Sequence, residues 1–128
     1  MSNRFALDAS AVLCLVRGEP GADIVGAALP HSVISAVNLA EVIAKMVDLG
    51  MNADLIDRVL GPLKLQTVAF DAAQALASGL LRAGTRSLGL SLGDRACIAL
   101  AVSAGATALT TDQAWGALKG IAAISLAR

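Results

Sequence analysis

Hydrophobic positions along this chain fall into two alternating rhythms. Short apolar or β-branched runs lie at Phe5-Ala6-Leu7, Ser32-Val33-Ile34-Ser35, Leu65-Gln66-Thr67-Val68, Thr107-Ala108-Leu109-Thr110 and within Ile121 to Leu126. Each has the length of a strand rather than a helix. Between them, apolar residues return at helical spacing. Ala9 to Arg17 and Ala22 to Leu29 predict two helices, split by the breakers of Gly18-Glu19-Pro20-Gly21. Pro30-His31 turns the chain into the second strand. Val37 to Leu49 predicts a strongly amphipathic helix with Gly50 as its stop, its apolar face including Leu39, Ile43 and Met46. Asn52 starts a helix through Leu60 that Gly61-Pro62 ends. Asp71 opens an alanine-rich helix to about Ala83, and Gly84 to Leu90 reads as a loop. Ser91 begins a helix over Leu92 to Ala104, closed by Gly105, and Thr111 to Trp115 is a turn or short helix.

Strands that alternate with helices predict an α/β fold, one domain over residues 1–128, with a mostly parallel sheet and helices on both faces. Composition adds a partner to this picture. Hydrophobic residues make up 56% of the chain and charged residues 16%, below the usual ~25%, and the mean hydropathy is +0.71. Such a surplus of apolar surface points to an oligomer or a bound protein partner. No window approaches the ~18 apolar residues of a membrane span. The N-terminus has no basic stretch followed by a long apolar one, so no signal peptide is expected.

Charge narrows the function classes. The net charge is zero and the aromatic residues are Phe5, Phe70 and Trp115 alone. That excludes a broad basic nucleic-acid surface and a base-stacking platform. Contact with RNA or DNA would run through a few local groups or through metal ions. Cys14 and Cys97 sit in apolar helical patterns and read as buried, reduced thiols of a cytosolic protein. The single His31 neighbours neither of them, so the spacing of a zinc site is missing.

The candidate chemistry lies in the carboxylates. Of ten acids, Glu19, Asp23, Asp48, Asp54, Asp57 and Asp71 occupy turns, helix starts or polar faces. Asp8, Glu41, Asp94 and Asp112 stand instead among apolar or small residues, where a lone carboxylate is costly without a partner or a metal. Each has a structural explanation of its own. Asp8 and Asp112 can cap the helices after them. Glu41 can close a capping box from Asn38 or pair with Lys45, and Asp94 is three residues after Ser91. Together they have another. Asp8 and Asp112 follow strands, and Glu41 and Asp94 begin helices. In a parallel α/β unit those places share one edge of the sheet, the edge where ligands bind. Four acids there repel one another unless cations neutralise them. Hard cations such as Mg²⁺ accept all-oxygen ligands and can activate water against a phosphodiester.

These acids lie in four segments: Leu7-Asp8-Ala9-Ser10-Ala11, Asn38-Leu39-Ala40-Glu41-Val42, Gly89-Leu90-Ser91-Leu92-Gly93-Asp94-Arg95-Ala96-Cys97 and Leu109-Thr110-Thr111-Asp112-Gln113-Ala114-Trp115. In order and spacing they resemble the PIN-domain proteins, specifically the VapC-type toxin ribonucleases of bacterial toxin–antitoxin pairs, and the likeness spans essentially the whole chain. The resemblance implies a PIN-like three-layer sandwich around a five-stranded sheet. It implies an acidic cluster of Asp8, Glu41, Asp94 and Asp112 that binds Mg²⁺ or Mn²⁺ and cleaves RNA, often tRNA or another structured RNA, in the cytoplasm. Ser10 and Thr110 match polar positions lining that cluster. Thr111 departs from the pattern, relatives more often carrying alanine or another small residue there. The family also implies a homodimer held inactive by a VapB-like antitoxin, whose C-terminal segment would lie in an apolar groove between helices 37–49 and 52–60.

Arg86, Arg95 and Trp115 bear on that picture. Arg86 and Arg95 flank the Asp94 segment and are candidate RNA-binding groups through their forked donors. The plainer alternatives are a solvated Arg86 and an Arg95 paired to an acid. Trp115 reads as a core anchor. No side chain suits a covalent nucleophile with a base beside it. Two other function classes compete, a non-catalytic interaction module and a phosphatase or phosphotransfer domain. A non-catalytic PIN-like interaction module would keep the fold and lose acids, whereas all four acids are present. A phosphatase of the haloacid-dehalogenase type needs Asp-x-Asp after the first strand, and position 10 is Ser. A receiver domain needs an acidic pair and a late lysine that this chain does not place.

Overall fold

The computed structural model describes residues 4–128, so residues 1–3 of the expected domain lie outside it. Five strands, β1 (Phe5–Leu7), β2 (Ser32–Ser35), β3 (Thr67–Val68), β4 (Thr107–Thr110) and β5 (Ile124–Leu126), form one sheet in the order β3-β2-β1-β4-β5. Every pairing is parallel. Six helices connect them: α1 (Ala9–Arg17), α2 (Ala22–Ala28), α3 (Ala36–Asp48), α4 (Ala53–Leu60), α5 (Ala72–Thr85) and α6 (Leu92–Ala104). The chain leaves β1 toward β2 on one side and returns to β4 on the other. The carboxyl end of β1 is therefore the point where strand order reverses, the usual place for a ligand crevice.

The strand period of two separates the core into layers. Leu7 of β1 is level with Ile34 of β2 and Leu109 of β4. All three are buried in one cluster with Ala11 and Val12 of α1, Val25 of α2 and Met46 of α3. Ala6 is level with Val33 and Ala108, and these face a second cluster with Cys97, Ile98 and Ala101 of α6 and with Trp115. Continued by one residue, the alternation turns Asp8 and Thr110 toward the α6 side.

Helix ends follow local capping chemistry. Asp8, Ser35, Asn52, Asp71 and Ser91 each accept a backbone N–H at a helix start. Gly18 and Gly105, both left-handed, close α1 and α6.

Four expectations shift in detail. The third strand pairs only over Thr67–Val68, and Leu65 packs against the first core instead. The segment 84–90 is not all loop. α5 runs through Gly84 to Thr85, whose buried hydroxyl donates back to the Leu81 carbonyl, and a 3₁₀ turn covers Arg86–Leu88 before Gly89 stops it. The fifth strand begins only at Ile124, because Ile121 and Ala122 donate to the Leu118 carbonyl in a turn. The true cap of α3 is Ser35, so Asn38 is inside the helix and cannot start a capping box.

No helix among the described residues is long and apolar enough to cross a membrane. Both cysteines are buried and unpaired to each other, and Trp115 is a core side chain.

Candidate active site

Asp8 follows the last residue of the central strand and is 6% exposed. Its carboxylate is fully engaged. Oδ1 accepts from the Ser10 hydroxyl at 2.7 Å and from the Ala11 N–H at 2.9 Å. Oδ2 accepts from the Thr110 hydroxyl at 2.5 Å. Thr110 Oγ1 in turn accepts from the Asp112 N–H, and Ser10 Oγ from the Thr111 N–H, both at 3.0 Å. Ser10 and Thr110 thus clamp the end of β1 to the turn after β4. Burial pushes the Asp8 carboxyl up from 3.8 to about 6, and the Asp94 charge adds to the rise. The bonds from Thr110, Ser10 and Ala11 pull the other way without cancelling it.

Asp94 lies in the first turn of α6, half-buried. Its Oδ2 accepts from the Ser91 N–H at 3.0 Å while Ser91 Oγ accepts from the Asp94 N–H, a complete capping box. Glu41 is on α3 with an exposed side chain, and its Oε1 accepts from Asn38 Nδ2 at 2.9 Å. Cys97, one turn along α6 from Asp94, donates toward the Ala6 carbonyl beneath Asp8. Burial raises this thiol well above its ordinary value, and the charges of Asp8, Asp94 and Glu41 raise it further. Three of the four candidate acids thus bear on the Cys97 thiol. Asp112 is exposed and caps the 3₁₀ segment Gln113–Leu118 through Ala114 N–H, at 3.0 Å. It joins the others by chain adjacency to Thr110.

The chain matches the family described as the PIN domain over residues 5–121. It belongs to the PIN domain family.

Solved structures share this PIN fold. A chain of a toxin–antitoxin complex from Klebsiella pneumoniae gives a TM-score of 0.75 at 18% identity, covering 96% of this chain and 97% of that one. VapBC2 from Rickettsia felis, bound to a DNA fragment from its promoter, gives 0.73 at 17%, with 95% and 97% covered. FitAcB from Neisseria gonorrhoeae gives 0.71 at 22%, with 96% and 97% covered. At these identities the likeness is one of fold. Among curated proteins none matches the sequence.

Set on the PIN fold, the donor set is all oxygen: carboxylates with the Ser10 and Thr110 hydroxyls beside them. That is the chemistry of a hard divalent cation and not of zinc. Among the described residues no three Asp, Glu, His or Cys side chains stand close enough to hold an ion as they are. The arrangement still fits one in kind. Asp94, Asp112 and Glu41 each place one oxygen in a local bond, and their second oxygens take no hydrogen bond among the described residues. The Asp8 carboxyl is raised chiefly by burial, with the Asp94 charge adding to it, and a cation would offset both.

The candidate arginines separate. Arg86 is exposed and lines a hollow of about 190 Å³ with Arg82, Thr85, Gly89 and Leu90. Arg95 is half-buried and donates to the Ser78 carbonyl at 3.2 Å, tying α6 to α5. Its partner is a backbone oxygen, not an acid. Glu41 does not pair with Lys45 within 4 Å either, so neither alternative raised for it is seen.

Sequence reasoning missed the supports of Glu41. Asn38, 1% exposed, also donates to the Gly93 carbonyl at 3.0 Å. The signal was present: Asn38, Val42 and Met46 are the buried stripe of α3, and a polar residue in such a stripe needs a reason.

Proposed function

We propose that this PIN domain is a metal-dependent endoribonuclease, the toxin of a toxin–antitoxin pair, cutting tRNA or another structured RNA. The observation that carries this reading is Asp8: a buried carboxylate at the strand-order switch point, held up near 6 by burial with the Asp94 charge of α6 adding to the rise. Asp8, Asp94, Asp112 and Glu41 would hold Mg²⁺ or Mn²⁺. Such an ion, when bound, supplies positive charge to a phosphodiester and acidifies the water that attacks it. The rest is the work of the chain. Ser10 and Thr110 fix the Asp8 carboxylate in one orientation. The capping box fixes Asp94, and Arg86 offers a forked donor to a flanking phosphate.

Two partners complete the reading. Leu39 and Ile43 of α3, Ile56 and Leu60 of α4, and Leu65 line a groove of about 430 Å³, with Asp57 and Lys64 beside them. An apolar segment of a VapB-like antitoxin fits there, as in helix- or strand-in-groove recognition. The second partner is another copy of this chain, meeting the exposed Leu76 and Leu80 of α5.

The test is cleavage mapping on total cellular RNA with Mg²⁺ or Mn²⁺, wild type beside Asp8→Asn. Discrete cuts by the wild type and none by the folded variant are expected. Equal cutting by both overturns the site.

A further inference from the structure

Glu41 is the weakest-held acid of the cluster by type. It ends a long, exposed side chain on a helix other than the one that carries Asp94. Yet its carboxylate has a defined place. Asn38 Nδ2 spends one hydrogen on Glu41 Oε1 at 2.9 Å and the other on the carbonyl of Gly93 at 3.0 Å. Gly93 directly precedes Asp94. One amide therefore ties the Glu41 carboxylate of α3 to the backbone that carries Asp94 on α6.

Gly93 completes the seat. A Cβ built on it would overlap both carboxylate oxygens of Glu41. Gly93 has no left-handed backbone that would require glycine. The missing side chain is needed for the space it leaves. Stability alone does not account for Asn38 either. It is 1% exposed, and its Oδ1 has no partner, whereas side-chain polar groups buried for structure are normally satisfied at both ends.

We infer that Asn38 and Gly93 are positioning residues, which set where the Glu41 carboxylate stands relative to Asp94. Their value to the metal site rests on the function proposed above. Asn38 acts on the cation only through Glu41. Removing it should therefore cost what removing a group behind a ligand costs, about 10- to 100-fold in metal affinity. It should cost nothing once Glu41 is gone.

The test is a double-mutant cycle read by Mn²⁺ binding, in calorimetry, and by the side-chain carboxyl ¹³C resonance of Glu41 in metal-free protein. Asn38→Leu keeps the volume and removes the amide. Gly93→Ala keeps the amide and fills the seat; because the atoms it displaces are the far end of a flexible side chain, it serves if Asn38→Leu fails to fold. Either variant is expected to weaken Mn²⁺ binding at least tenfold in the wild-type background and to leave it unchanged in Glu41→Ala. Each is also expected to shift the Glu41 carboxyl resonance, while Asn52→Ala, at the distant cap of α4, does not. Losses that add fully in the Glu41→Ala background overturn the positioning role. If Glu41→Ala itself leaves Mn²⁺ binding intact, Glu41 is no ligand, and the carboxyl resonance alone decides: an unmoved signal in Asn38→Leu or Gly93→Ala overturns the inference, a moved one upholds it.

Discussion

Asp8→Asn tests the electrostatics of the site without reference to RNA. In the folded chain the Asp8 carboxyl is raised from 3.8 to about 6. For an acid raised on folding, the folded state binds the proton more tightly than the unfolded one. The cost of ionising it is absent below pH 3.8, grows as pH rises and is complete above about 6. At about 1.4 kcal/mol per pH unit, the rise amounts to about 3 kcal/mol. Asparagine keeps the shape and has no charge to bury. Its carbonyl can still accept from Ser10 and Ala11. The Thr110 hydroxyl loses its carboxylate acceptor and must turn to Ser10 Oγ, 3.2 Å away, at a cost of about 1 kcal/mol. The variant is therefore expected to be more stable than wild type by about 2 kcal/mol at pH 7.5 and metal-free, about 8 °C in Tm for a chain of this size. At pH 4 the gain should vanish. Millimolar Mg²⁺ at pH 7.5 should then raise the wild-type Tm and not that of the variant, closing the gap. Thermal unfolding followed by circular dichroism at the two pH values, with chelator and with Mg²⁺, reads all of this. A variant less stable than wild type at pH 7.5, or a difference that ignores pH, refutes the reasoning.

Two further predictions bear on the edges of the fold. Gly21, at φ +100°, begins α2, and a Cβ there would come within 2.7 Å of the Ala127 carbonyl oxygen. Gly21→Ala should cost about 1–3 kcal/mol in a denaturant titration, from strain plus a backbone clash. Gly18→Ala, left-handed but with nothing within 4 Å, should cost about 1 kcal/mol; equal costs would remove the clash from the argument. Ile43→Asp puts a charge into the α3–α4 groove. It should abolish co-purification with an antitoxin expressed from the adjacent reading frame and leave RNA cleavage intact, and retained binding would move the antitoxin elsewhere.

Much of this fold was legible because its strands and helices announce themselves by different periods, and because the breakers stand where the elements end. The misses have local causes. Gly84 suggested a stop, but helix propensity counts for little beside a buried Thr85 hydroxyl bonded back to Leu81. Leu65 looked like strand and packs against the core, with Gln66 exposed beside it, since an edge strand needs a partner on only one side and can end early. The site divides in the same way. As candidates, Asp8 and Asp94 were readable from their surroundings. Asn38 and Gly93 were not, because their meaning lies in a contact between residues 55 apart in sequence.

The structural explanations of the acids, set against the functional one in the sequence, leave one oxygen without a hydrogen bond among the described residues on Asp94, Asp112 and Glu41, and none on Asp8. Asp94 and Asp112 each cap a helix start, and Asp8 caps α1 through Oδ1 while Thr110 takes its Oδ2. Capping orients a carboxylate by one oxygen and aims the other away from the helix. Glu41, inside α3 and past its first turn, has no orphan N–H to cap, and a side chain, Asn38, holds it instead. The prediction that separates the two roles is therefore asymmetric. Ser91→Ala, which removes half of the α6 capping box, should cost about 1 kcal/mol of stability and leave Asp94 partly held by the Ser91 N–H. Asn38→Leu should cost Glu41 its only hydrogen bond among the described residues, so its effect should fall on metal affinity ahead of stability.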